Sequence, residues 1–255
     1  MILNQDELLN SIVKGIVSGY KDYIEIRKEA NKKLYISDAY AYIKSNHIDS
    51  EVASHVKSYI DFQKRSAGPA WKFLEFKEQS DYNEKRMVFI LKNERYFDKN
   101  NVTFGKNALS DKEKNEKKYL ADYVEKNIDV DFQAKREEYK SVYQPNADDI
   151  LFKPQKNKKV NEGEEFYIVT YNIDVLSAQL NSVKLWMPNP KDNKAIILRD
   201  LTEELNDILQ SDETYSIDSD DLEVLKSDME SEKTSADAEK DFSFVLEEVE
   251  EEGLK

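Results

Sequence analysis

Apolar residues recur at helical spacing through the first quarter of the chain. Between residues 4 and 30 they fall three or four apart, at Leu9, Ile12, Val13, Ile16, Tyr20, Tyr23 and Ile24, as on one face of an amphipathic helix. Residues 37–46 and 50–64 show the same spacing over shorter lengths. The pattern therefore predicts three consecutive helices.

Farther along the chain, β-branched and aromatic residues alternate with the period of two that is typical of strands. Residues 71–77 and 86–92 predict two antiparallel strands joined by the polar loop 79–85. A capping box at Ser110 and Glu113 predicts a helix with an apolar face that reaches Ile128. Residues 143–163 predict a long loop.

The stretch 165–201 has the clearest strand pattern and predicts a three-stranded meander. Its first strand, 166–173, is apolar on both faces, which is typical of a central strand. The second strand is predicted to be half-buried, with Lys184 and Trp186 facing away from its apolar side. Pro188 is predicted to end that strand, because proline cannot donate to the ladder. Asp200 predicts the N-cap of a helix that follows the third strand.

Together these elements predict an α+β fold with N-terminal helices packed on an antiparallel sheet of about five strands. We expect one domain over residues 1–209, helical in 1–66 and sheet-rich in 67–209. Residues 210–255 contain 17 acidic residues and 4 lysines, whereas the rest of the chain contains 35 acidic and 34 basic residues. Nearly all of the net charge of −14 therefore lies in an acidic tail, which we predict to be disordered.

The composition excludes several kinds of chemistry. The chain contains no cysteine, which excludes disulfides, thiolate metal sites and cysteine nucleophiles. Its two histidines, His47 and His55, have no companion at ligand spacing, so we predict no metal site and no cofactor. The sequence has no apolar run long enough to predict a membrane span. Because Asp6 and Glu7 stand where a signal peptide has basic residues, we expect a cytoplasmic protein.

A resemblance rests on three strings, which are Gly68-Pro-Ala-Trp-Lys-Phe-Leu-Glu-Phe76, Arg86-Met-Val-Phe-Ile-Leu-Lys-Asn-Glu-Arg-Tyr-Phe97 and Lys184-Leu-Trp-Met-Pro-Asn-Pro190. The chain resembles an uncharacterised family of Gram-positive bacteria and their prophages over these two strand-rich regions. The resemblance implies a cytoplasmic protein of a mobile element or accessory locus. It implies no catalytic residue, because the family has no assigned activity.

One string suggests a nuclease. Glu75 and Lys77 have the Glu-x-Lys spacing of PD-(D/E)xK nucleases, and two residues at this spacing share one face of a strand. In such a site Glu75 would hold Mg²⁺ while Lys77 orients the attacking water. The second carboxylate that the chemistry requires has one nearby upstream candidate, Asp61, which the pattern places on a helix. The competing interpretation is that Glu75 and Lys77 are solvated side chains on a sheet face.

A nucleic-acid-binding regulator is another alternative. The predicted loop carries four lysines that would contact phosphates, namely Lys153, Lys156, Lys158 and Lys159. The three N-terminal helices also permit a helix-turn-helix. A small helical packing unit is the competing interpretation, because Asp49, Glu51 and Asp61 would repel phosphate.

The function that we expect from the sequence is a non-enzymatic interaction or regulatory protein. Trp186, if exposed beside Pro188 and Pro190, would form a partner-binding rim. The competing interpretation is that Trp186 belongs to the core or to a sheet face. Phe242 and Phe244 would add apolar contacts to an acidic tail whose charge suits a basic protein partner.

Overall fold

The computed structural model describes residues 5–67, 71–79, 85–104, 118–143, 163–174, 176–211, 213–221 and 223–225. The helices in these ranges are α1 (Gln5–Lys33), α2 (Lys44–Val56), α3 (Lys118–Val124), α4 (Phe132–Tyr143) and α5 (Thr202–Ser211), with short 3₁₀ helices at Asp38–Ile43, Glu94–Tyr96, Glu125–Asn127 and Glu213–Tyr215. The strands are β1 (Ile60–Ser66), β2 (Lys72–Glu78), β3 (Arg86–Asn93), β4 (Glu164–Ile173), β5 (Leu180–Asn189) and β6 (Lys194–Asp200).

The six strands form one sheet in which the spatial order follows the chain order, from β1 at one edge to β6 at the other. Every neighbouring pair is antiparallel except β3 and β4, which are parallel. A parallel pair needs a crossover connection, and α3 and α4 lie within that connection. The α+β class and the N-terminal helices are therefore confirmed, but the sheet has six strands and is not wholly antiparallel.

Both faces of the sheet are covered. One face packs against α1, α2 and α5 in a core that includes Phe76, Phe89 and Val169. The opposite face packs against α3, where Leu120 and Val124 belong to one buried cluster with Val88, Ile168 and Trp186. The central strands are apolar on both sides for this reason.

The α1–α2 contact depends on two glycines. A Cβ atom added at Gly15 would lie 2.5 Å from Val52 Cα, and one added at Gly19 would lie 2.5 Å from Ile48 Cα. Both distances are shorter than carbon atoms can approach, so only glycine permits this spacing of the two helix backbones. The helix pair is thus fixed by backbone shape as well as by burial of apolar side chains.

The periodicity correctly predicts α1, β2, β3, the meander β4–β5–β6 and α5. Asp200 Oδ1 accepts a hydrogen bond of 3.1 Å from the backbone N–H of Thr202, as an N-cap residue does. Helix α4 was not predicted. It follows Asp131, whose Oδ1 accepts hydrogen bonds from the N–H groups of Gln133 and Ala134.

The predicted helices over 37–46 and 50–64 are confirmed only in part, because residues 38–56 are helical but residues 57–64 are not. A 3₁₀ helix (Asp38–Ile43) leads into α2, and the chain then forms β1, which pairs with β2 from Ile60 opposite Glu78 to Ser66 opposite Lys72. The apolar spacing does not predict β1, because Ile60 is its only buried residue. Residues 5–67 therefore contain two α-helices and not the three that were predicted for a helix-turn-helix, and Asp61 lies on a strand.

The meander also differs from its predicted form at Pro188. Strand β5 continues through Pro188 to Asn189, and Pro188 pairs in register with Ala195. The Pro188 carbonyl accepts a hydrogen bond from Asn127 Nδ2 at 2.8 Å, so proline contributes here as an acceptor. The strand is buried on both faces and not on one.

The beginning of the acidic tail packs on α1. Asp221 and Leu225 are buried, and Leu225 belongs to the core beneath the helices. The predicted domain boundary at 209 lies inside α5. We call residues 213–221 and 223–225 the C-terminal segment. In the described part of the chain, no helix is long and apolar enough to cross a membrane.

Candidate functional site

Trp186 is not part of an exposed rim. Its side chain is 6% exposed, its Nε1 donates a 2.9 Å hydrogen bond to Thr170 Oγ1, and its ring centroid lies 5.3 Å from that of Phe97. Pro188 is buried and Pro190 is half-buried. The condition for a partner-binding rim, an exposed Trp186, is therefore not met, because its side of β5 faces α3 and not solvent.

Glu75 lies on β2 and both of its carboxylate oxygens have partners. Oε1 accepts hydrogen bonds from Arg65 Nη2 at 2.8 Å and from Arg65 Nε at 3.2 Å, and Oε2 accepts one from the Tyr123 hydroxyl. Burial and the bond to Glu75 raise the pKa of Tyr123 above its ordinary value. This arrangement connects β1, β2 and α3 on one face of the sheet.

Lys77 on the same strand belongs to a second ionic group, centred on Glu164. Glu164 accepts a 2.6 Å hydrogen bond from Lys126 Nζ, forms an ion pair with Lys77, and has Arg86 Nη2 at 3.7 Å. Burial would raise the pKa of Glu164, but the hydrogen bonds from Lys126 and Lys77 outweigh burial and lower it to about 2. Glu164 is therefore ionised at neutral pH, and the group stabilises the folded sheet.

Asp61 is brought close to the predicted nuclease residues. It lies on β1 directly opposite Lys77, so it shares a sheet face with Glu75 and Lys77. Its Oδ1 accepts a 2.6 Å hydrogen bond from Gln79 Nε2.

These residues do not fit a Mg²⁺ site. The Glu75 oxygens are already bound by Arg65 and Tyr123. The described residues also contain no group of three His, Cys, Asp or Glu side chains that could hold a metal ion. We therefore derive no metal-dependent step from Glu75, Lys77 and Asp61.

A polar cleft of about 550 Å³ opens where β3 and β4 end and β5 begins. Lys184 Nζ donates to Glu94 Oε1 at 3.1 Å, and Ser182 Oγ donates to Glu94 Oε2 at 3.3 Å. Asp200, at the same cleft, caps α5. Glu94 and Lys184 are paired with each other, and Asp200 is paired with the end of α5. The cleft therefore does not strongly favour a ligand of one charge.

Three exposed apolar residues are consecutive in the turn after α1. Leu34 is 46% exposed, Ile36 is 81% exposed and Tyr35 is fully exposed. We call these three residues the apolar turn. No candidate site was predicted here, although three large apolar residues directly after Lys32 and Lys33 are visible in the sequence.

A buried arginine fixes the shape of the apolar turn. The Arg27 side chain is 0% exposed, and its Nη1 donates to Ser37 O and Ser37 Oγ, both at 2.9 Å, and to Asn31 Oδ1 at 3.1 Å. Ser37 Oγ also bonds Asn31 Oδ1. One guanidinium thus binds Asn31, which lies before the turn, and Ser37, which follows it. The three apolar side chains between these two residues face solvent.

The remaining predicted site residues are Lys153, Lys156, Lys158, Lys159, Phe242 and Phe244, and they lie outside the described residues. Their roles stay predictions. His47 Nδ1 lies 2.5 Å from Asp22 Oδ2 of α1, and His55 Nδ1 lies 2.9 Å from the Glu51 carbonyl of its own helix.

Comparison of the chain with protein-family models, with curated proteins and with solved structures gave no match. The resemblance to a family of Gram-positive bacteria and prophages therefore stays a prediction.

Proposed function

We propose that this protein acts by binding a protein partner, without catalysis, and that the apolar turn supplies the main contact. The observation that carries the proposal is the exposure of Leu34, Tyr35 and Ile36 above the fully buried Arg27. Exposed apolar clusters on a folded protein are typical of interaction sites. The proposed partner-binding site is therefore the apolar turn and not the rim at Trp186 that was expected from the sequence.

The anchoring of the turn favours tight binding. A contact loop that is already held in one shape loses little conformational entropy when it binds. Arg27 provides this order through its hydrogen bonds to Asn31 and Ser37. Tyrosine is also among the residues that contribute most to protein interfaces, because its ring buries a large area and its hydroxyl can still donate.

The chemistry of the turn defines the partner surface. Lys32 and Lys33 are exposed next to the three apolar residues, so the complementary surface is an apolar pocket with an acidic rim. The acidic residues beyond 225 would form a second, charge-based contact with a basic region of the partner. Such a regulatory protein of a mobile element or accessory locus would act in the cytoplasm.

The test begins with a photo-crosslinker. Benzoylphenylalanine replaces Tyr35 in the full chain, and the crosslinked protein is identified by mass spectrometry. The dissociation constant of the purified partner is then measured against wild type and against the double variant Tyr35→Ser with Ile36→Ser. We expect the double variant to weaken binding about 30-fold, because two anchor side chains are lost.

Leu176 provides a matched control, since it is 89% exposed in the loop between β4 and β5. The Leu176→Ser variant also removes an exposed apolar side chain, and it should bind as wild type does. Equal affinity for the double variant and for wild type would contradict the proposal. Lys32→Glu with Lys33→Glu should weaken binding in low salt if the pocket has an acidic rim.

A further inference from the structure

Strand β1 forms one edge of the sheet and is exposed along almost all of its length. Every residue from Asp61 to Ser66 is exposed, and among the described strands β1 has β2 as its only neighbour. The other edge differs. The backbone N–H of Ala195 on β6 donates to the Lys99 carbonyl at 2.8 Å, and Asn193 O accepts from Val102 N–H at 3.0 Å. Residues 99–104 therefore cover part of β6, while β1 presents the more open edge.

The hydrogen-bond pattern shows which β1 residues direct their backbone N–H and C=O groups away from β2. Just beyond the two ends of β1, Gln79 N–H donates to Tyr59 O and Ala67 N–H donates to Trp71 O, both at 3.0 Å. In an antiparallel pair the residues that exchange such bonds alternate along the strand. Odd-numbered residues therefore direct their backbone groups toward β2, and the backbone groups of Ile60, Phe62 and Lys64 point away from it.

The side chains of β1 are complementary to themselves in one antiparallel register. With Gln63 opposite Gln63, Asp61 lies opposite Arg65 in both halves of the pair, and Phe62 lies opposite Lys64. The outward backbone groups of Phe62 and Lys64 then meet, as hydrogen-bonded pairs require. A shift by two residues places Asp61 opposite Gln63, or Lys64 opposite Lys64, and both ion pairs are lost.

We propose that β1 pairs with β1 of a second copy of this chain, about a two-fold axis at Gln63, to form a continuous twelve-stranded sheet. The proposal does not depend on the partner interaction of the apolar turn. Charged side chains on an edge strand usually prevent pairing, but here the same residues attract the edge of an identical molecule. Such a contact is closed and isologous, so assembly stops at the dimer.

The arrangement leaves the charged side chains available. Arg65 uses Nε and Nη2 for Glu75, and its side chain is 43% exposed. Asp61 accepts from Gln79 through Oδ1 and is also exposed. Phe62, 50% exposed, would gain cover from the opposite Lys64 through a cation–π contact.

The test is a charge swap in the full chain, followed by sedimentation equilibrium and native mass spectrometry. Asp61→Arg would place Arg opposite Arg, and Arg65→Asp would place Asp opposite Asp, so each variant should dimerise about tenfold more weakly or worse. Mixed together, the two variants regain opposite charges at both pairs, and we expect a one-to-one heterodimer. A wild-type monomer at high concentration, or variants that dimerise as wild type does, would overturn the proposal.

A second pair of variants tests the backbone contact, because Arg65→Asp also removes the ion pair with Glu75. Lys64→Pro removes an N–H that points away from β2, so the β1–β2 ladder stays complete while the dimer loses two hydrogen bonds. Lys64→Ala keeps the N–H and serves as the control. We expect the proline variant to be monomeric under conditions in which the alanine variant dimerises. Equal dimerisation of both variants would place the contact elsewhere.

Discussion

Helix α1 contacts α2 and the C-terminal segment through different kinds of interaction. On one side, α2 approaches so closely that Gly15 and Gly19 leave no room for a side chain. On the other side, the C-terminal segment is held by Asp221, whose carboxylate is 0% exposed and forms ion pairs with Lys21 and Lys28. The first contact depends on shape and the second on charge. The charge-based contact of Asp221 should therefore respond to proton concentration.

The largest effect is expected from a methyl group between α1 and α2. A Cβ at position 19 would lie 2.5 Å from Ile48 Cα and 2.7 Å from His47 O, and both are backbone atoms that cannot rotate away. We expect Gly19→Ala to lower the free energy of unfolding by about 2–3 kcal/mol, despite the better helix propensity of alanine. Urea unfolding measures this value.

Asn10→Ala is the control for helix propensity, since Asn10 is exposed on the same helix. It should change the free energy of unfolding by less than about 0.5 kcal/mol. A Gly19→Ala protein as stable as wild type would show that α2 can move away from α1 at little cost, and the shape-based interpretation of this contact would then fail.

A smaller and more local effect is expected at Asp221. The Asp221→Asn variant leaves Lys21 and Lys28 without their common carboxylate, but both lysines can reach water. We expect a loss of about 1–2 kcal/mol, confined to the C-terminal segment. Hydrogen exchange should become faster in residues 213–221 and 223–225, and exchange in α2 should not change.

Asp220→Asn removes the same charge one residue earlier, at an exposed position. It should leave hydrogen exchange in the C-terminal segment unchanged. Equal exchange rates in both variants would mean that the apolar contact of Leu225 alone holds the segment.

At low pH, protonation of the Asp221 carboxylate should weaken the contact of the C-terminal segment with α1. Burial would raise the pKa of Asp221, but the hydrogen bonds from Lys28 and Lys21 outweigh burial and hold the pKa below the ordinary 3.8. A lowered folded-state pKa stabilises the contact above pH 3.8, and the contribution is lost as pH falls through the folded-state pKa. Hydrogen exchange at pH 5 and below pH 3 would measure the loss, and Asp221→Asn should show no such pH dependence.

The smallest effect is expected at Asp49, which shows the opposite behaviour on α2. Burial raises the pKa of Asp49 to about 7, although its carboxylate accepts a 3.1 Å hydrogen bond from the Leu74 N–H. A raised folded-state pKa stabilises the protein at low pH, and the contribution is lost as pH rises from about 4 through about 7. Asp49→Asn keeps an oxygen for Leu74 and should raise the free energy of unfolding at pH 8 by about 1 kcal/mol or less, because solvent screens the charge of this half-buried carboxylate.

Thermal unfolding at pH 5 and pH 8 measures this change. The stability gain of Asp49→Asn should be smaller at pH 5, where Asp49 is largely protonated in the folded protein. A gain of equal size at both values would contradict the raised pKa.

The sequence predicts an element correctly where a whole face of that element is apolar, and it fails where burial depends on residues elsewhere in the chain. Apolar periodicity predicts α1 and the meander β4–β5–β6, because each of these elements packs along a whole face. It fails for β1, a polar edge strand in which Ile60 is the only buried residue, so that no apolar alternation marks it as a strand. It also fails for Trp186, because the α3 side chains that cover this residue come from more than 60 residues earlier in the chain.

The candidate interaction sites show the same limit. The acidic composition after residue 210 does not predict the burial of Asp221 and Leu225, because that burial depends on lysines and apolar residues of α1. The exposure of Leu34 and Ile36 could not be predicted either, since apolar residues after a helix more often pack inward. Their position depends on the hydrogen bonds of Arg27 with Asn31 and Ser37.

The sequential order of the strands has a consequence for folding. Within β1–β2–β3 and within β4–β5–β6 each strand pairs with its neighbour in the chain, so each half can form through short loops at a small entropic cost. Only the parallel pair β3–β4 must close the long connection from Glu94 to Gly163. We therefore expect the two three-stranded halves to form early, and the joining of β3 to β4 to limit the rate at which the complete sheet appears.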